Sequence, residues 1–158
     1  MNRAHVITVS DGVSSGTRED ASGPALHNLL RNAGFEVSGP QVVADTRETI
    51  ADAIGTAVSG GADLVVTTGG TGLGPRDVTP QATSTLLDYE VPGLSEVMRR
   101  AGTSSTPMAA LSRGVAGVRG QSLILNVPGS PKGAVESLEA VMPVLDHAMQ
   151  LLHGDTKH

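Results

Sequence analysis

The run Gly69-Gly70-Thr71-Gly72-Leu73-Gly74-Pro75-Arg76-Asp77 is the densest glycine cluster in the chain. Glycine lets backbone N–H groups approach an anion closely, because no Cβ stands in the way. The cluster follows Leu64-Val65-Val66-Thr67-Thr68, a β-branched run suited to a strand covered on both faces. It precedes Thr79-Pro80, which opens a helix. A turn at the carboxyl end of a parallel strand is where open α/β sheets bind ligands. No Gly-Lys-Ser/Thr follows, so this is not a P-loop, and the glycines lack the G-x-G-x-x-G spacing of dinucleotide sites. The plain alternative is a tight turn. Asp77 bears on the choice: a carboxylate beside a phosphate cradle repels the ligand unless Mg²⁺ sits between them.

Two further turns share the pattern. Pro128-Gly129-Ser130-Pro131-Lys132 follows a strand and opens a helix, offering free N–H groups, a hydroxyl and a positive charge. Its alternative is a helix cap. Ser10-Asp11-Gly12-Val13-Ser14-Ser15-Gly16 also lies just past a strand. Three such turns would line one rim. Asp45 reads either as a helix N-cap or as a second metal or acid–base carboxylate facing Asp77. Ser112-Arg113 reads as a phosphate contact or as an edge-strand charge. His5, His27, His147, His153 and His158 show no metal-ligand spacing and receive no role. A G-x-S-x-G elbow is absent, so hydrolase chemistry has no support.

These residues need elements to hold them. Val6-Ile7-Thr8-Val9 reads as a first strand, followed by a polar loop to Ala21. Ser22 is expected to cap a helix whose face is Leu26, Leu29, Leu30 and Ala33, ended by Gly34. Residues 35–44 form an extended segment with a bulge or bend at Gly39-Pro40. Asp45 or Thr46 caps a helix faced by Ile50, Ala53, Ile54, Ala57 and Val58 and closed by Gly60-Gly61. Strand, helix, strand, helix, strand is the pattern of a parallel sheet with helices on its faces. Further helices are expected over residues 79–87 and 92–100. Residues 110–118 and 122–127 read as a hairpin turning at Arg119-Gly120. A last helix carries Leu138, Val141, Met142, Leu145, Met149 and Leu152, with Pro143 expected to break or restart it. The tail from Gly154 to His158 is expected to fray.

At 158 residues the chain fits one domain, residues 1–158. A net charge of -5 argues against affinity for nucleic acid through its phosphates. Phe35 and Tyr89 are too few rings for stacking on single strands. No cysteine is present, which rules out disulfides and thiolate metal sites. Apolar runs are too short for a membrane span, and the start shows no signal-peptide pattern, so a cytoplasmic protein is expected.

Thr67-Thr68-Gly69-Gly70-Thr71-Gly72 with Pro75-Arg76-Asp77-Val78-Thr79-Pro80 resembles the signature of the molybdopterin-binding MoaB/Mog family. Leu111-Ser112-Arg113, Leu125-Asn126-Val127-Pro128-Gly129-Ser130-Pro131-Lys132-Gly133 and Ser10-Asp11 match it too, in order along nearly the whole chain. The domain is shared with gephyrin, MoeA-type insertases and CinA-like proteins. The resemblance implies a three-layer α/β/α sandwich with a mostly parallel sheet, assembled as a homotrimer. It implies Mg²⁺-dependent adenylylation of molybdopterin by ATP, with pyrophosphate released, and hand-over to a MoeA-type insertase. By the same resemblance Asp45 and Asp77 are catalytic and hold Mg²⁺. Gly69, Gly70, Thr71 and Gly72 cradle one ligand, and Pro128, Gly129, Ser130 and Lys132 the other. Asp11, Ser14 and Ser112 add contacts. The run Val43-Ala44-Asp45-Thr46 departs from the family's usual Pro-Asp pattern. Two alternatives stay open: a trimeric molybdopterin carrier without transferase activity, and a CinA-like nucleotide pyrophosphatase, which the lack of a second domain disfavours.

Overall fold

In the computed structural model, which describes residues 1–157, the elements run in chain order as follows. They are β1 (Arg3–Val9), α1 (Asp11–Ser14), α2 (Ser22–Asn32), β2 (Glu36–Val43), α3 (Arg47–Ser59), β3 (Leu64–Thr68) and α4 (Thr79–Ser84). Then come β4 (Tyr89–Glu90), α5 (Pro92–Thr103), a 3₁₀ turn (Pro107–Leu111), β5 (Ala116–Arg119), β6 (Ser122–Val127) and α6 (Pro131–Leu152). The six strands form one sheet in the order β2-β1-β3-β6-β5-β4. The first four are parallel to one another, while β5 and β4 pair antiparallel.

The strand β3 shows how helices come to cover both faces. Leu64 and Val66 point into one apolar cluster with Leu26, Leu30, Met98, Leu138 and Leu145, from α2, α5 and α6. Val65 points the other way, to Ile50, Ile54 and Ala82 of α3 and α4. Successive residues of a strand face opposite sides, so a continuous apolar run demands cover on both. The result is the three-layer α/β/α sandwich. Each fully buried Leu or Ile is worth about 1.5–3 kcal/mol relative to exposure.

Several local expectations are corrected. The loop after β1 contains the short helix α1. Ser22 is not the cap of α2; it is buried, and Asp20 Oδ1 accepts the Gly23 N–H instead at 3.0 Å. Of the two residues expected to cap α3, it is Thr46 that does so, accepting from Thr49 N–H at 3.3 Å. Residues 107–111 wind into a 3₁₀ turn, so the hairpin begins only at Ala116. Pro143 does not interrupt α6. It lies on the solvent face, where water can satisfy the Glu139 carbonyl it leaves unpaired, while Leu138, Val141, Leu145 and Met149 hold the buried face continuous. The bend at Gly39-Pro40 is present, with a register shift between β1 and β2 and a cis peptide bond. His158 lies outside the described residues.

Parallel pairing aligns the strand ends. Val9 pairs with Val43, Thr8 with Thr68, and Thr68 with Val127. The loops after β1, β2, β3 and β6 therefore leave the sheet along one rim.

Candidate active site at the carboxyl rim of the sheet

From β1 the chain crosses one face of the sheet through α2 to β2, then returns across the other face through α3 to β3. The crossings diverge between β1 and β3, and such a switch point leaves a crevice at the carboxyl ends of the strands. A cavity of about 570 Å³ opens there, lined by Ser10, Asp45, Gly69, Gly70, Asp77 and Gly129 among others.

Asp45 reaches the cavity because Thr46 relieves it of capping. Its Oδ2 accepts the Asp11 N–H at 2.8 Å, and Asp11 Oδ1 accepts the Asp45 N–H at 2.9 Å. This reciprocal pair ties the loop after β1 to the loop after β2. Arg76 closes the other side: its Nε donates to Asp11 Oδ2 at 3.0 Å and its Nη2 to Asp11 Oδ1 at 3.1 Å. Arg76 is thereby held above its ordinary basicity, through the Asp11 hydrogen bonds first. The Arg76 hydrogen bonds, then the Asp45 N–H, hold the Asp11 carboxyl below the usual carboxylate range. Asp45 moves the opposite way. Burial pushes its carboxyl up, and the negative charges of Asp11 and Asp77 add to the shift, against the Asp11 N–H and Arg76.

The 69–77 loop curls around Asp77. Gly74 N–H donates to Asp77 Oδ2 at 2.9 Å, and Asp77 N–H donates to Gly74 C=O at 3.0 Å. Thr79 anchors the loop base, its Oγ1 donating to Gly69 C=O at 2.9 Å and its N–H to Gly70 C=O at 3.1 Å. Gly70 has φ +69°, and a Cβ there would strike Thr79 Oγ1 and stand 3.2 Å from Asp45 Oδ1. Gly69 has φ +101°, and its Cβ would strike the Val9 carbonyl. Glycine is therefore required at both positions by the backbone and by the close approach of β1. Its neighbour turn touches it: a Cβ on Gly129 would lie 3.3 Å from Gly69 Cα.

Across the wall formed by Thr71 and Gly72 lies a second cavity of about 380 Å³. Met98, Met108, Leu111, Ser112, Pro128 and Lys132 are among its lining residues. Ser130 lines both cavities, and its Oγ caps α6 by accepting Gly133 N–H at 3.1 Å. Lys132 is exposed, 3.9 Å from Glu136.

The sequence-derived site residues thus converge on two adjoining cavities. Asp45, Asp77, Gly69, Gly70 and Gly129 line the first; Thr71, Gly72, Ser112, Pro128 and Lys132 line the second; Ser130 lines both. Asp11 braces the first through Asp45 and Arg76. Ser14 is exposed at the end of α1 and lines neither. Arg113 is not an edge-strand charge, one of the two roles expected for it. It precedes β5 rather than lying on an edge strand, and its guanidinium is turned onto the 69–77 loop. Sequence reasoning missed Asp20, whose Oδ2 accepts Thr8 Oγ1 at 2.9 Å on the cavity wall. Its position three residues before Gly23, just ahead of Pro24, is the spacing of a side-chain cap and could have found it. Nothing in spacing foretold Arg76 pairing with Asp11, 65 residues away.

Magnesium prefers hard oxygen donors and commonly takes one or two carboxylates, with substrate phosphates and water completing its shell. Among the described residues no cluster of three or more His, Cys, Asp or Glu side chains is arranged to hold a metal ion. Four carboxylate residues line the cavity, Glu19, Asp20, Asp45 and Asp77. Asp20 spends both oxygens on Thr8 and Gly23, whereas Asp45 and Asp77 each keep Oδ1 outside the hydrogen bonds made by Oδ2. That donor set fits Mg²⁺ shared with a polyphosphate and does not fit a closed, all-protein metal site.

Residues 5–147 match the family described as "Probable molybdopterin binding domain". The chain is 41% identical over 156 residues to the molybdopterin adenylyltransferase of Helicobacter pylori strain J99, covering 95% of this chain and 87% of that one. It is 40% identical over 151 residues to the molybdenum cofactor biosynthesis bifunctional protein of Synechococcus elongatus. There it covers 96% of this chain and 47% of the relative, so it spans about half of that longer protein. The crystal structure of the molybdopterin biosynthesis enzyme MoaB from Thermus thermophilus superposes with a TM-score of 0.90 at 55% identity, covering 98% of each chain. A Thermoplasma acidophilum CinA structure, at 21% identity and a TM-score of 0.71, shares the fold. With its signature residues gathered at one rim and the match running through nearly all of its length, the chain belongs to the molybdopterin-binding MoaB/Mog family.

Proposed function

We propose that this protein acts in molybdenum cofactor biosynthesis as a molybdopterin adenylyltransferase, a nucleotidyltransferase that uses ATP. One observation carries the reading: Asp45 and Asp77, from separate loops, face one cavity floored by Gly69 and Gly70 at the β1–β3 crevice. An oxygen of the terminal phosphate of molybdopterin attacks the α-phosphorus of ATP. The bond from that phosphorus to the bridging oxygen breaks, and pyrophosphate leaves. A phosphate monoester is already largely ionised at neutral pH, so the attack needs no general base. That assigns Asp45 and Asp77 to holding Mg²⁺ and orienting phosphates rather than to moving a proton. When bound there, Mg²⁺ would neutralise charge between the reacting phosphates. With the Gly69 N–H spent on Val127 C=O, the N–H groups of Gly70, Thr71 and Gly72 cradle phosphate over the Gly69 floor, and Asp11 and Arg76 keep Asp45 in place.

The switch-point cavity, rich in polar groups, suits the nucleotide and the reacting phosphates. The second cavity, with Met98, Met108 and Leu111, suits the flat pterin ring, with Ser112, Pro128, Ser130 and Lys132 at its edge. Exposed Leu73 and Val144, outside both cavities, supply apolar surface for a homotrimer. A cytoplasmic setting and hand-over of product to a MoeA-type insertase complete the reading.

The test is single-turnover transfer of label from α-labelled ATP to molybdopterin with Mg²⁺. Label should reach the pterin, stop with EDTA, and slow at least about 100-fold in Asp77→Asn, as for loss of a principal electrostatic group. Tight molybdopterin binding without transfer would instead make the protein a carrier.

A further inference from the structure

We propose that Arg113 is a positioning residue that fixes the 69–77 loop and thereby aims Asp77. The residue touches that loop at three points. Its backbone N–H donates to Thr71 C=O at 2.8 Å, its Nε to Gly72 C=O at 2.9 Å and its Nη2 to Asp77 C=O at 2.8 Å. Its Nη1 reaches Gln81 Oε1, in the first turn of α4, at 3.3 Å. One half-buried side chain thus gathers both ends of the glycine loop and the helix that follows it.

The partners decide the role. A phosphate-binding arginine aims its fork at the ligand, but here three of the five guanidinium N–H donors, one from each nitrogen, are directed onto the protein itself. Among the described residues no carboxylate pairs with it at ion-pair distance. Its charge therefore strengthens the bonds to the loop carbonyls. The segment carrying Arg113 is itself anchored. Gly114 C=O accepts from Arg99 Nη1 at 3.0 Å, and Val115 N–H donates to Asn126 Oδ1 at 3.1 Å. Force runs from α5 and β6, through residues 113–115, into the loop.

Thr79 holds the loop base at Gly69 and Gly70. Beyond that base the other side-chain tether is the Arg76–Asp11 pair, whose side chains are 62% and 44% exposed. Exposed ion pairs hold little and weaken with salt. The Arg113 fork, half-buried and directed at main-chain oxygens, is therefore the stronger of these two constraints on the part of the loop beyond its Thr79-held base. A planar guanidinium can serve three acceptors at once, whereas a lysine ammonium presents its donors from one point.

Consequences for turnover rest on the adenylyltransferase reading; the loop constraint itself does not. The experiment uses Arg113→Lys and Arg113→Gln, with the lysine variant keeping the charge and the aliphatic stem. Hydrogen exchange is followed by mass spectrometry in peptides spanning residues 69–78, alongside β3 as an internal standard, and single-turnover transfer is measured on the same samples. Exchange in 69–78 should accelerate about tenfold or more with β3 unchanged, as expected for a local opening. The transfer rate at saturating substrates should fall about 10- to 100-fold, with KM for ATP within about threefold, the signature of misplacement rather than lost binding. Unchanged exchange in both variants overturns the proposal. So does a KM rise at unchanged rate, which would make Arg113 a ligand contact, or a lower Tm with full turnover per folded molecule. If the wild type transfers no adenylyl group, the functional reading fails, and the exchange data alone decide the constraint.

Discussion

Asp45 is the residue at which stability and chemistry pull apart. Burial and two neighbouring carboxylates raise its pKa in the folded protein. A raised carboxyl pKa means the fold binds the proton more tightly than the unfolded chain does. Stability from this group is therefore lost as pH rises from its unfolded value of about 3.9 through its folded value. Asp45→Asn removes that loss while its side-chain oxygen can still accept the Asp11 N–H. The variant should melt at or above the wild-type temperature at pH 7, with the gap closing as pH falls toward 4, and should lose turnover. Melting curves from pH 4 to 8 check it; a variant clearly less stable at pH 7 would contradict the account. Asp11 runs the other way, its stabilisation present above the unfolded value and lost as pH falls through its lowered folded one. The sequence left Asp45 between cap and ligand. Its neighbour Thr46 is an equally competent cap, and which of the two caps α3 is settled by backbone direction, which composition does not encode.

At the scale of elements, Asn126 joins pieces that sequence reading treated separately. From β6 its Nδ2 donates to Thr67 Oγ1 on β3 at 2.9 Å and to Thr83 Oγ1 on α4 at 3.1 Å. Its Oδ1 accepts the Val115 N–H ahead of β5 at 3.1 Å. The side chain is fully enclosed, and no buried polar side-chain atom lacks a partner among the described residues. Asn126→Ala strands the Val115 N–H and one Thr67 acceptor, at about 1–3 kcal/mol for each group left unsatisfied. Urea unfolding should show a lower midpoint with an unchanged slope; an unchanged midpoint would mean water or a shift of chain repairs the gap. The strands around it were legible because β-branched runs such as 64–68 report burial on two faces. Residues 110–118 misled for the same reason in reverse. Their small apolar side chains suit extended chain, but Pro107 starts a 3₁₀ turn and Thr106 Oγ1 accepts Met108 N–H, a local choice that hydrophobic pattern does not reveal. The two glycine turns were legible as loops. That they touch each other follows only from β3 pairing with β6.

Across the whole molecule, a net charge of -5 coexists with large apolar side chains left in solvent outside both cavities, Leu73 at 67% and Val144 at 49% exposure. Trimer formation would cover such surface, and sedimentation equilibrium should then give about three times the 16.0 kDa chain mass. A single-chain mass at micromolar concentration would remove the trimer from the reading. The placement of the site also sets a timetable. Its parts come from residues 10–11, 45, 69–77 and 129–130; the first three meet through β1, β2 and β3, and the last joins them only when β6 docks against β3. A chain leaving the ribosome has every strand on the near side of the crevice before the last wall exists. Loop closure over such separations is slow and comes late. A chain without β6 lacks the 129–130 wall of the pocket, so substrate that needs the complete pocket favours the finished sheet over the unfolded chain. The ligands act as a seal on completed folding and give no help to its early steps.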